Sequence, residues 1–401
     1  MSTTNDSTKK PSTAMDDAPL PIPNLELPQL VFILNQPKAE RKREGVLDRL
    51  LKLIEQDEMA PYLSHLISTN QIPSTSETDA LLKSLKEKNS SHLKELTDKL
   101  KDSQDNLGET EVSDCLRDKA SYLAKIGEKE SALEAHEEAF NKTAGKGTKI
   151  DLVLTMIRIG FFHSDPSIVQ TQIDRAQKLV DEGGDWDRRN RLKVYKGLQL
   201  LSVRSFKKAS ELLLDALPTF TANELIEYDQ FVTLCVLAGV FALERKELKS
   251  KIIESPEVIS VLPNVPTLKD FTDSLYKTDY STFFRSLATV EEEHFLPSLL
   301  LSNHSKYYTR ELRLKAYSQL LQSYRSVTLD SLAQAFGVTK EWLDSDLARF
   351  IATGRLNCSI DRVEGIVETR RPSIKNARYA EVIKTGDQVL TSVQRLSRVI
   401  G

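Results

Sequence analysis

Two stretches of this chain repeat the same arithmetic of small residues. In "KASYLAKIGEKESALEAHEEAF", Ala120, Ala132 and Ala139 stand twelve and then seven apart; in "KGLQLLSVRSFKKASELLLDA", Gly197, Ala209 and Ala216 keep the same offsets. A small residue in one helix lets a second helix cross closely, and two small residues seven apart line the second helix where it does so. Between them falls a turn, at Gly127 in the first stretch and at Arg204 and Ser205 in the second. A bulkier copy, Ile157, Val169 and Ala176, lies between the two, so the pattern recurs after 37 and then 40 residues. A period of that length predicts stacked helical hairpins, each burying its apolar face against its neighbours.

The spacing is close to that of the tetratricopeptide unit, about 34 residues. Helix pairs around Glu224 to Ile253 and Thr267 to Glu292 continue the rhythm less clearly, so residues 110–293 are read as a helical-repeat solenoid with an extended concave surface. The rest of the composition agrees. Glycine and proline each number 15 in 401 residues, below the usual levels of about 7% and 5%, which disfavours a turn-rich β architecture. Residues 24–109 form an N-terminal group of helices: one at Leu25 to Leu34, one over Lys38 to Glu55, one begun by "MAPYLSHLI" and a long amphipathic helix from Thr78 to Asn106. Along that long helix Leu82 and Leu96 lie on one seam and Leu93, Leu100 and Leu107 on another, with Asn89 and Ser103 interrupting. The interruptions favour a helix exposed or packed on one side over a coiled-coil dimer. The Ser-, Thr- and Pro-rich residues 1–23 have little to bury and are expected to be a disordered tail.

Charge and motif content exclude more than they assign. Fifty-five basic against 58 acidic residues leave a net charge of -3, with no global attraction to nucleic acid or an anionic membrane. Three separated cysteines fit reduced thiols, and no apolar run approaches the roughly 18 to 20 residues of a membrane span. The six histidines are dispersed, without a metal-ligand spacing, and no phosphate-binding glycine loop or nucleophile elbow is present. Neither a metal nor another cofactor is expected, and no catalytic residue is assigned. In "LVDEGGDWDRRNRLKVY", Gly183 and Gly184 end a helix and Asp185 caps the next. There Arg188, Arg189 and Arg191 are read as solvated or paired within the chain, Asp187 with Arg191 at i,i+4, ahead of a partner contact or an anion site.

"VTLDSLAQAFGVTKEWLDSDLARFIATGRL" reads as helix, tight turn at Gly337, and a second helix ended by Gly354. Two β-branched runs, Leu356 to Ile360 and Gly365 to Thr369, follow around the turn "DRVE". Helix-turn-helix plus hairpin is a winged helix, here assigned to residues 294–372. Its second helix sets Glu341, Asp344 and Asp346 against Lys340 and Arg349, an acidic face ill suited to a phosphate backbone, which leaves a DNA-binding regulator as a remote alternative. A hairpin edge instead can add strands to a neighbour's sheet, with Ile360, Arg362, Val363, Ile366 and Val367 as the candidate edge residues. In residues 373–401, Val382, Val389 and Leu396 fall seven apart beside Gly386, Val393 and Ile400. That is a helical seam, and with Val399 it forms the second candidate partner surface, expected to pack on helices of other chains.

A helical-repeat array running into a winged helix is the plan of the PCI family, found in the proteasome lid, the signalosome and a translation initiation factor complex. The runs "EMAPYLSHL", "GGDWDRRNRLKVYKGL", "AYSQLLQSYRSVTL", "CSIDRVEGIVETRRP" and "QRLSRVI" resemble proteasome-lid members of that family from about Leu25 to Ile400. The resemblance implies a mostly α scaffold subunit without catalytic activity, resident in cytoplasm and nucleus. Its implied partners are other PCI subunits, met through winged-helix edges and a bundle of C-terminal helices. Its repeats are implied to reach the ATPase ring and core particle, supporting lid assembly and lid-base association in ATP-dependent degradation of ubiquitinated proteins. Neither nucleic acid nor membrane is among these partners. The homologous signalosome subunit is the alternative.

Overall fold

A computed structural model describes residues 23–36, 45–72, 76–106, 108–370 and 374–400. The expected disordered tail therefore lies outside the described residues except for its last position, as do Leu107 and the first residues of the helix anticipated from Lys38. The contacts divide the chain into two compact units: Met1–Thr272 with Ala288–Tyr308, and Asp273–Leu287 with Thr309–Gly401.

In the first unit, helices Glu26–Asn35, Val46–Gln56 and Ala60–Ser68 share a core of Leu27, Leu30, Val31, Leu50, Ile54, Leu63 and Leu66. Pro61 sits in the first turn of its helix, where the missing N–H has no intrahelical acceptor to lose. The 31-residue helix Ser76–Asn106 packs along one side, against Ala60–Ser68 and Glu109–Lys125. Asn89 and Ser103, taken from the sequence as breaks in its seam, are among its buried residues together with Leu85 and Leu100. Each is satisfied. The Asn89 amide donates to the Glu58 carbonyl at 3.0 Å and accepts from the Tyr122 hydroxyl at 3.2 Å, while the Ser103 hydroxyl reaches the Lys99 carbonyl at 2.8 Å.

Three hairpins follow, Glu109–Lys125 with Lys129–Lys142, Lys146–Phe162 with Pro166–Asp181, and Trp186–Ser202 with Phe206–Ala216. Ala120, Ala132, Ala139, Ile157, Ala176, Ala209 and Ala216 are fully buried. At Gly197 a Cβ would stand 2.6 Å from Leu213 Cδ2, so any side chain there would force Leu213 to move. In the middle hairpin the close approach belongs to Gly160, whose Cβ would meet Val169 Cγ2 at 2.8 Å, one turn beyond Ile157. All three hairpins turn through a residue of positive φ: Gly127 at 77°, Ser164 at 54° and Arg204 at 69°. Neighbouring repeats are joined by ion pairs about one period apart, Lys129 with Asp165 at 2.8 Å, Arg175 with Glu137 at 2.7 Å and Arg188 with Asp151 at 2.7 Å.

Inside this array several polar groups are buried, His136, Arg158 and Glu224 among them. The Tyr195 hydroxyl donates to Glu224 Oε1 at 3.1 Å, and the Arg158 guanidinium donates to the Thr155 hydroxyl at 3.0 Å. Burial, with the Arg158 charge nearby, pulls the His136 imidazole down to about 4, although its bond to the Ala132 carbonyl opposes the shift. The array continues into Tyr228–Ala242, whose residues from Phe231 to Val240 are buried on all sides, as a central apolar helix requires. It then breaks into the short pieces Arg245–Leu248, Lys249–Ile253 and Pro256–Val261.

The second unit corrects the domain boundary expected at residues 293 and 294. Asp273–Leu287 belongs with the winged helix because its aromatic side chains complete that core. Tyr280 and Phe284 lie 4.9 and 5.0 Å from Phe336, and Tyr317 stands edge-on to the same ring at 4.9 Å. Helices Leu329–Phe336 and Lys340–Ala352 meet at Gly337, whose φ of 65° closes the left-handed turn. The Thr328 hydroxyl caps the first of them, accepting from the Ser331 N–H at 3.3 Å. The sheet has a strand the sequence reading lacked: β1 (Ser326–Thr328) joins β2 (Cys358–Asp361) and β3 (Ile366–Thr369) in the order β1-β3-β2, all antiparallel. Beyond it stands the helix Ile374–Ile400.

Candidate assembly interfaces

The terminal helix carries 27 residues, about 40 Å at 1.5 Å per residue. Every described side chain from Lys375 to Arg398 is exposed. That includes Val382, Val389, Val393 and Leu396 of the expected seam, which are 57–68% exposed. Val399 and Ile400 continue the helix, with side chains outside the described residues. The sequence reading missed Tyr379, Ile383 and Leu390, exposed to the same degree. Ile383 and Leu390 follow Val382 and Val389 by one residue, so the apolar stripe takes three positions per heptad rather than two. A stripe of that width suits contact with more than one neighbouring helix. Gly386 sits within it, and a Cβ there would meet nothing within 4 Å.

The winged-helix candidates divide. Because β3 is the central strand, Ile366 and Val367 have partners on both sides and do not form an edge. Val367 is fully buried. The free edges are those of β1 and β2, and of the expected residues only Ile360, half-buried on β2, lies on one. Val363 is 96% exposed at the hairpin tip, where Asp361 Oδ1 accepts the Val363 and Glu364 N–H groups at 2.8 and 3.3 Å. Arg362 leans back from that tip to an ion pair with Asp344 at 2.9 Å. The strand β1 is only three residues long, and its one sequence signal is the β-branched pair Val327 and Thr328, the second of which is also the helix cap.

The acidic face of Lys340–Ala352 is thinner than its sequence implies. Asp346 is buried, accepting the Tyr317 hydroxyl at 3.0 Å and the Arg313 guanidinium at 3.3 Å. Asp344 is taken up by Arg362, and Glu341 stays exposed. Leu343, Leu347 and Phe350 face the core. Trp342, 41% exposed, lies under the Arg313 guanidinium, 5.4 Å from its ring centre.

In the first unit, Arg188 is held by both oxygens of Asp151, at 2.9 and 2.7 Å, and Arg191 by Asp187 at 2.7 Å, which consumes two of the three clustered arginines within the chain. Arg189 and Trp186 remain on the surface. Among the described residues no group of His, Cys, Asp and Glu is arranged to hold a metal ion, and no helix is long and apolar enough to cross a membrane.

Three family descriptions match consecutive parts of the chain: 26S proteasome subunit RPN7 at 78–251, PCI domain at 269–371, and the 26S proteasome regulatory subunit RPN7/PSMD6 C-terminal helix at 378–400. The 26S proteasome non-ATPase regulatory subunit 6 of Dictyostelium discoideum is 41% identical, over 96% of this chain and 100% of that protein. The 26S proteasome regulatory subunit RPN7 of Saccharomyces cerevisiae is 39% identical over 94% of each. The COP9 signalosome complex subunit 1 of Arabidopsis thaliana is 26% identical over 49% of this chain and 45% of its own length.

Proposed function

The chain belongs to the 26S proteasome non-ATPase regulatory subunit 6 (RPN7) family, and from that membership we propose that it is a non-catalytic scaffold of the regulatory-particle lid. The observation that carries this reading is the terminal helix: an apolar stripe left open to water on a helix of 27 residues. Exposed apolar surface of that extent marks an interaction site. Its natural occupants are the terminal helices of other lid subunits, gathered into a bundle. The free edges of β1 and β2 supply the second contact, where a neighbouring PCI subunit adds its own strand by backbone hydrogen bonds. The solenoid, whose repeats leave an extended surface, reaches the ATPase ring and core particle and helps hold lid to base. The complex works in cytoplasm and nucleus, which microscopy of a fluorescently tagged chain checks.

Affinity purification of the tagged chain, with mass spectrometry of the chains that accompany it, tests the assignment. Lid subunits together with ATPase and core-particle chains are expected. A set of signalosome subunits in their place would overturn it in favour of the homologous scaffold.

A further inference from the structure

Repeats in a solenoid contact their sequence neighbours, and the stability of such an array is close to a sum of repeat and nearest-neighbour contributions. The first helix among the described residues departs from that rule. Gln29, on Glu26–Asn35, donates its side-chain amide to the Pro297 carbonyl and accepts the Leu299 N–H at 2.9 Å, across 268 and 270 residues. One residue before the helix, the Leu25 N–H reaches the Leu225 carbonyl at 3.4 Å. Both ends of the Gln29 amide are thus used on the backbone of a non-helical segment, whose groups have no helix ladder to satisfy them.

What surrounds these bonds is loosely filled. A cavity of about 690 Å³ lies beside the helix, lined by Leu30, Ile33, Leu234, Leu237, Val265 and Leu300 among others. On its other face the helix is anchored by Leu27 and Val31 in the N-terminal core. It is only ten residues long, so it is not a stable helix by itself. It is held firmly to the N-terminal helices, whereas its grip on the far end of the array is made by hydrogen bonds beside a gap.

We propose that Glu26–Asn35 is a clasp: through Gln29 it ties the N-terminal helices to the segment at 297–299, so that these two regions, far apart in sequence, open and close together. The clasp makes the curvature of the array a fixed property instead of a soft one, and it is the joint at which the array opens first.

Hydrogen exchange of the full chain, read peptide by peptide, tests this with Gln29→Ala and Gln29→Glu. The glutamate keeps an acceptor for Leu299 but sets a carboxylate against the Pro297 carbonyl. Losing one or two hydrogen bonds of ordinary strength raises the population of the open form roughly 5- to 100-fold. Segments 26–35 and 296–304 are therefore expected to exchange faster by that factor, in step, while 146–181 keeps its wild-type rates. Small-angle scattering should show a larger radius of gyration. Acceleration confined to 26–35, acceleration spread evenly over 146–181, or wild-type rates in both segments would overturn the clasp.

Discussion

Single residues decide which polar groups this helical chain can bury. Asp346 is the clearest instance, since its carboxylate serves both Tyr317 and Arg313 inside the winged helix. Replacing it by alanine leaves a hydroxyl and a guanidinium without that acceptor. Asp346→Ala should then lower stability by roughly 2–4 kcal/mol, read from urea unfolding of the purified chain. His136 makes a second prediction, of pH dependence. The unfolded imidazole takes up a proton below about 6.5, while the folded one stays neutral until about 4. Protons therefore bind the unfolded chain preferentially in that window, and stability falls as pH drops from 6.5 towards 4. His136→Gln, measured the same way, should flatten that slope. None of this was legible in the sequence: Asp346 stood among surface acids and His136 among dispersed histidines, because their partners lie on other elements.

Elements were legible where the signal is local. The offsets of Ala120, Ala132 and Ala139 and of Gly197, Ala209 and Ala216 expose the hairpins, because helix crossing needs small residues at fixed steps along one chain. Asn89 and Ser103 showed in sequence only as polar interruptions; how they are satisfied was not readable there, because the Asn89 amide meets Glu58 and Tyr122 outside its own helix, while Ser103 turns to the Lys99 carbonyl of its own helix. Strand β1 was missed since three residues carry no period, and without it β3 passes for an edge. Two glycines separate packing from assembly. Gly197→Ala should destabilise by about 1–2 kcal/mol, because crowding against Leu213 outweighs the gain in helix propensity. Gly386→Ala meets open space and should make the terminal helix more stable by about 1 kcal/mol, seen as raised helicity in circular dichroism.

At the scale of the whole molecule, the plan of repeats, winged helix and terminal helix follows from sequence, but its division does not. The boundary placed at 293 and 294 failed because Tyr280 and Phe284 are drawn to Phe336, a contact more than fifty residues away in sequence. The terminal helix has no such partner among the described residues of its own chain, and the proposed scaffold role rests on it. Deleting Val389 to Gly401 removes Val389, Leu390, Val393 and Leu396 without touching either core. Incorporation of this truncated chain into the lid, followed by native gel and mass spectrometry beside the full-length chain, tests the role directly. The truncated chain should fold, with unchanged unfolding of its two units, yet remain outside the complex; its normal incorporation would contradict a scaffold that assembles through its last helix.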